Sequence, residues 1–268
     1  MSARYAEFAP PPALAGHVHC LWLFEGVEAE GEQPIAPDGR CELIVHYGAP
    51  YLERSPGGEA LRQPPALFAG QLTRPFHLRA DEPAGVIGVR FRHAGALGYL
   101  GRPVSAATDR RLALDGLLGP AVAKALTAGL SDLDEAARLG RVIDHVAARL
   151  AADGRRDPAV EAAVAILEAG GGAEAAIAAS GLEPRTLQRR FARAVGVSPR
   201  LLASILRFRR VFDALAEADA ASWTQAAQAA GYFDHPQMAR DFRRFLGCTA
   251  SAFWAGRHGL AASLVGDG

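Results

Sequence analysis

The chain has 268 residues, half of them hydrophobic and 22% charged, with a formal net charge of zero. Such values exclude disordered and collagen-like classes, and the length points to two domains of roughly 100–200 residues each. The neutral total hides an asymmetry: residues 155–257 carry 14 basic and 10 acidic side chains, a net of +4, which leaves 15 and 19, or −4, elsewhere.

The first hundred residues read as strands separated by turn signals. His17 to Glu25 is rich in large apolar residues, Cys41 to Tyr47 follows the turn Pro37-Asp38-Gly39, and Gly85 to Arg92 alternates in part. Leu72, Phe76 and Leu78 suggest a further strand interrupted by Pro75, and Ser55-Pro56-Gly57-Gly58 is a turn cluster. A mostly antiparallel sheet or small barrel is expected. From about Leu112 the spacing becomes helical, with Val142, Val146 and Leu150 on one apolar face. Packing on the sheet, linking the domains and supporting a dimer are all open to these helices. The segment 152–158 is the candidate linker, because Asp157 can cap a helix that Pro158 opens. The expected architecture is therefore α+β: a regulatory domain over 1–152, strands then helices, and an all-α domain over 153–268.

Within the second domain, Ala175 to Phe191 (AAIAASGLEPRTLQRRF) combines a small-residue helix, a Gly181-Leu182 turn and a helix opened by Pro184. Leu187 and Phe191, four apart, share a buried face, which leaves Arg185, Gln188 and Arg189 on another side. Arginine can donate two hydrogen bonds to guanine and glutamine can pair likewise with adenine, so this face has the chemistry to read base edges. Ser222 to Phe245 repeats the plan, with Ser222 as a candidate cap, a turn at Gly231 and Asp234 capping a second helix. There Met238, Phe242 and Phe245 form the apolar face, while His235, Gln237 and Arg240 lie free and Arg243 and Arg244 are available for phosphates, as is Arg193 in the first unit. Between the units, Leu201, Ile205, Phe208, Phe212 and Leu215 keep one stripe through a connecting helix of about 19 residues, roughly 28 Å at 1.5 Å per residue. Successive major grooves on one face of B-DNA recur about every 34 Å, a matching order of length.

Two helix-turn-helix units joined by a long helix, with L-Q-R-R-F, G-V-S-P and G-Y-F-D…R-D-F-R-R-F in order, resemble the DNA-binding domain of the AraC/XylS family of bacterial transcription regulators over about residues 158–254. Carried over by motif position, the resemblance implies base contacts from Arg185, Gln188 and Arg189 in the first recognition helix, and from His235, Pro236, Gln237 and Arg240 in the second. It also implies double-stranded DNA and RNA polymerase as partners, with a small-molecule effector and a homodimer as further expectations. This sequence departs from the family at Glu183, where a capping Ser is usual, at Ile177 before the turn glycine, at Gln237 in place of His, and at Ala250 in place of Pro. The N-terminal region, through PDGRCELIVHYG and GVRFRHAGALGYLG, resembles sensor-like domains found ahead of this module, with no effector-binding residue identified.

The rival reading is a metal-dependent small-barrel enzyme fused to a DNA-binding domain. His17, His19, Glu25, His46, His77 and His93 are available for it, and His17 and His19 would share one side of a strand. No compact metal signature accompanies them. Cys20, Cys41 and Cys248 are widely spaced and form no C-x-x-C pair. The sequence also lacks G-x-S-x-G, a P-loop and a dinucleotide fingerprint, so no catalytic residue, cofactor or metal is assigned. Without a secretory leader or an apolar run of ~18 residues, a cytoplasmic protein outside the membrane is expected.

Overall fold

The computed structural model describes residues 3–26, 31–54, 57–217, 223–249 and 252. The N-terminal strands are β1 (Arg4–Phe8), β2 (Val18–Gly26), β3 (Gln33–Ile35), β4 (Glu42–His46), β5 (Leu52–Arg54), β6 (Ala60–Arg62), β7 (Ala66–Ala69), β8 (Phe76–Arg79), β9 (Ala84–Phe91) and β10 (Arg111–Ala113). They form a six-stranded sheet in the order β1-β2-β9-β4-β7-β10 and a four-stranded sheet in the order β3-β8-β5-β6, paired antiparallel throughout. The four strands read from sequence correspond to β2, β4, β8 and β9. The barrel alternative is not realised: two separate sheets stand in its place.

The pleat sends alternate side chains of the larger sheet to opposite faces. Leu21, Leu23, Leu43, Val45, Phe68, Ile87, Val89 and Phe91 join the main core, where Phe68 and Phe91 pack on Tyr99 at ring distances of 6.0 and 5.1 Å. On the other face Phe24 and Val86 cluster with Tyr51, flanked by Trp22, Ile44 and Leu78. The two sheets thus enclose a second, smaller interior.

The helices are α1 (Ala96–Leu100), α2 (Leu114–Leu118), α3 (Pro120–Thr127), α4 (Glu135–Asp153), α5 (Pro158–Glu168), α6 (Ala173–Ser180), α7 (Pro184–Val195), α8 (Pro199–Glu217), α9 (Trp223–Ala229) and α10 (His235–Leu246). Val142, Val146 and Leu150 of α4 are buried, as their spacing requires. Asp157 caps α5 by accepting the Val160 N–H at 3.2 Å, with Pro158 as the first helical residue. One buried cluster runs from Leu14 of the sheet region through α5, α6 and α7 to Leu202 of α8, so the first helix-turn-helix packs in the same core as the N-terminal domain. The second helix-turn-helix has its own core, formed around Phe208, Phe212, Phe242 and Phe245. Among the described residues, no helix is long and apolar enough to cross a membrane.

Candidate nucleic-acid interface

Helix α7 exists because Pro184 presets its first turn and because Leu187, Phe191, Ala194 and Val195 recur on one face, where all four are buried. Arg185, Gln188 and Arg189 occupy the opposite face and are exposed, as is Arg193 in the last turn. None of the four makes an ion pair with a described residue. A patch of unpartnered arginine and amide donors on one face of a well-anchored helix is free to meet acceptor groups of a duplex. The departure at Glu183 has a visible consequence: it stands at the N-cap position without a side-chain cap bond. Ser180 supports the turn instead, donating to the Ile177 carbonyl at 2.7 Å and accepting the Leu182 N–H at 3.2 Å.

Helix α10 repeats the arrangement with a true cap, since Asp234 accepts the Gln237 N–H at 2.6 Å. Met238, Phe242, Phe245 and Leu246 are buried, whereas Pro236, Arg240, Arg243 and Arg244 are exposed and Gln237 is half-buried. His235 is the first residue of the helix; its side chain lies outside the described residues, as do the proposed cap Ser222 and the departure at Ala250. Connecting helix α8 spans 19 residues, the expected length. Ile205, Phe208 and Phe212 are buried in the second core as read, but Leu201 and Leu215 are only half-buried, and Leu202 and Val211 complete the buried stripe.

Two anchors escaped the sequence reading because each joins residues more than 30 positions apart. Arg190, next to the reading face, folds back to Asp157 through two hydrogen bonds of 2.8 and 2.6 Å and ties α7 to the start of α5. Burial would raise the Asp157 carboxyl, yet the Arg190 guanidinium and the Val160 N–H outweigh it and hold the group below the usual carboxylate range. In the second unit Asp241 of α10 accepts from Arg207 of α8 at 3.2 Å and from the Tyr232 hydroxyl at 3.0 Å, while Arg207 stacks over the Tyr232 ring at 4.8 Å. Each recognition helix is therefore fixed by one buried apolar face and one charged clamp.

The space between the two sheets is a second candidate site, a cavity of about 150 Å³. Trp22, Phe24, Tyr51 and Phe76 give it aromatic walls, and Ile44, Leu72, Leu78 and Val86 aliphatic ones. The Trp22 indole lies flat on β9, where a Cβ at Gly88 would sit 1.9 Å from its ring, and its Nε1–H donates to Glu42 at 3.2 Å. Glu42 also accepts from Arg90 at 2.8 Å, and Arg111 is paired with Glu53 and lies over the Phe76 ring at 4.3 Å.

The histidines of the enzyme rival do not converge. A bulge between Val18 and Cys20 breaks the alternation, so that His17 is buried against the Gly95 carbonyl while His19 is exposed. Buried His93 instead donates from Nδ1 to the Gly39 carbonyl at 2.6 Å. Among the described residues no three His, Cys, Asp or Glu side chains are grouped to hold a metal ion.

Residues 177–255 match a family described as a helix-turn-helix domain, and residues 6–113 match a domain of unknown function, DUF6597. No curated protein matches the chain. Among solved structures, apo ToxT from Vibrio cholerae is 10% identical, with a TM-score of 0.46 over 87% of this chain and 96% of that one. ToxT bound to an unsaturated fatty acid, from the same organism, is 8% identical, with a TM-score of 0.45 over 87% and 94% of the two chains.

Proposed function

We propose that this chain, a DNA-binding transcription regulator with an AraC/XylS-type helix-turn-helix domain behind a domain of unknown function, reads two successive major grooves under the control of its N-terminal domain. The observation that carries the proposal is the matched design of α7 and α10. Each is anchored by a buried face and an acid–arginine clamp, and each leaves arginines exposed and outside any ion pair with a described residue. Base contacts are assigned to Arg185, Gln188 and Arg189 of α7 and to His235, Pro236, Gln237 and Arg240 of α10. Phosphate contacts are assigned to Arg193, Arg243 and Arg244.

Selection of bound sites from random duplexes with the full chain tests this reading. The recovered site should hold two short elements, and log affinity should fall linearly with log salt as phosphate contacts release counterions. Arg189→Ala and Arg240→Ala should each cost about 1–3 kcal/mol on that site and relax base preference in one element. Lengthening the spacer by roughly 5 base pairs turns one element to the far side of the duplex. Affinity should then drop toward that of a single element, and indifference to spacing would overturn the two-groove reading. RNA polymerase and a second copy of the chain are the protein partners this reading implies; transcription from a promoter carrying the selected site and sedimentation of the DNA-bound protein test them.

For control by the N-terminal domain, the inter-sheet cavity supports an apolar effector about the size of one aromatic ring, the occupant that a cavity of roughly 150 Å³ accepts. Among the described residues, two of the three arginines that line it, Arg90 and Arg111, are already paired with carboxylates, which leaves Arg40 as the cation open to a polar group on an otherwise apolar ligand. A panel of one-ring compounds, scored by Trp22 fluorescence and by change in operator affinity, tests this part; no response from any of them would remove it.

A further inference from the structure

We propose that Phe233 is a base-reading residue whose ring seats against the 5-methyl group of a thymine in the DNA element faced by α10. The inference rests on the DNA-binding reading above and adds a contact that none of its assigned residues makes. Phe233 is 96% exposed, against 68% for Leu61 and 36% for Val122, the other large apolar side chains exposed among the described residues.

Its exposure follows from how the second turn is built. In the first unit the cap position, Glu183, comes two residues after the turn glycine Gly181; in the second the cap, Asp234, comes three residues after Gly231. The extra residue must go somewhere. Tyr232 takes the buried direction, 5% exposed with its hydroxyl on Asp241, and Phe233 is turned out immediately before the first turn of α10. Among the described residues, its exposed chain neighbours Gly231 and Asp234 add no apolar side chain beside the ring, and the other exposed large apolar side chains, Leu61 and Val122, belong to the N-terminal domain, whereas a protein-docking face requires a contiguous apolar patch of several hundred Å².

The location fits a groove contact. The N-terminal residues of a recognition helix are those that meet base edges, and Phe233 stands directly beside them. Thymine is the base that presents a methyl group in the major groove, and apolar side chains, phenylalanine among them, are what recognise it. Exposed Arg243 and Arg244 on the same helix supply the attraction to phosphate that a lone apolar ring lacks.

The test uses the full chain and the duplex it selects from random DNA. Each thymine in the element assigned to α10 is replaced in turn by deoxyuridine, which removes only the methyl group. One replacement should weaken wild-type binding about fourfold, the value of one buried methyl at ~0.8 kcal/mol and 1.4 kcal/mol per tenfold. Phe233→Ala should bind the thymine duplex at least that much more weakly and be indifferent to the same replacement, while Phe233→Leu should keep part of the discrimination. Because the side chain is exposed, these variants should retain the wild-type unfolding midpoint. Wild-type indifference to every replacement, or a Phe233→Ala protein that still senses the methyl, overturns the proposal while the salt-dependent site binding stands. Failure to select any site would instead overturn the DNA-binding reading and this proposal together.

Discussion

Substituting Gly196 by alanine tests whether recognition helix α7 is seated on the N-terminal domain. Gly196 ends α7 with φ +95° and its carbonyl accepts the Thr108 hydroxyl at 2.6 Å. A Cβ there would lie 3.0 Å from Val104 Cγ1, 3.1 Å from Gln71 Cγ and 3.3 Å from Thr108 Oγ1, all on the N-terminal side of the contact. An L-residue in left-handed backbone costs about 1–2 kcal/mol. Crowding a packed interface adds about 1–3 kcal/mol. Gly196→Ala should therefore cost roughly 2–5 kcal/mol in total. Gly181→Ala is the internal control, for Gly181 also has positive φ, +65°, but nothing lies within 4 Å of its added Cβ. Only the backbone cost, about 1–2 kcal/mol, should appear there. Urea unfolding of both variants in the full chain, followed by circular dichroism, gives the comparison. Equal losses would refute a packed seat beneath α7.

Three further outcomes follow from single contacts. Asp157→Asn should weaken the α5–α7 clamp by about 1–3 kcal/mol at neutral pH, measured by denaturant unfolding. The Asp157 carboxyl is held low in the folded chain, so its contribution is full above the unfolded carboxylate range near pH 4 and is lost as pH falls through the folded value. Wild-type stability should consequently decline more steeply than that of the Asn variant below about pH 4. Gly88→Ala should displace the Trp22 indole, seen as an altered emission spectrum and a changed response to one-ring ligands, whereas an unchanged spectrum would contradict the flat packing on β9.

The legible parts of the sequence were those where local chemistry and long-range packing agree. Asp157 with Pro158, and Asp234 with Pro236, announce helix starts by capping and proline placement, and the structure uses both carboxylates as caps. The length of α8 was legible because its apolar spacing persists from Leu201 to Leu215, about four turns. The three-residue strands β3, β5, β6 and β10 were not, since a segment such as Gln33-Pro34-Ile35, with proline at its centre, is too short to show alternation and becomes a strand only through pairing with β8. Arg190 shows the other limit: from spacing alone it is one more arginine near the reading face, and only the fold brings Asp157 within 2.6 Å of it. The contact between the domains was likewise hidden, because loop residues such as Gly39, Gln71 and Gly196 join the buried face of α7 in making it, and no periodicity marks them.

Those same loops bear on how a cavity in the first domain can influence the second. Ala36 lines the cavity and packs in the core of the second helix-turn-helix. Three residues on, the Gly39 carbonyl is held by Gln71 Nε2 and His93 Nδ1, both at 2.6 Å, and a Cβ on Gly39 would stand 2.8 Å from Leu202 of α8. Gly70 and Leu72 line the cavity on either side of Gln71, which touches Gly196, and Pro75 lies beside Gly247 at the end of α10. The stretches 36–40 and 70–75 thus have the cavity on one side and, on the other, connecting helix α8 and the C-terminal ends of α7 and α10. A ligand changes operator affinity only insofar as it binds two arrangements unequally, and a tenfold change requires about 1.4 kcal/mol of coupling. Burying or releasing two methylene groups supplies that, at about 0.8 kcal/mol each. A shift of these walls large enough to uncover part of Leu202 or Ala36 would therefore suffice, with no refolding of either domain.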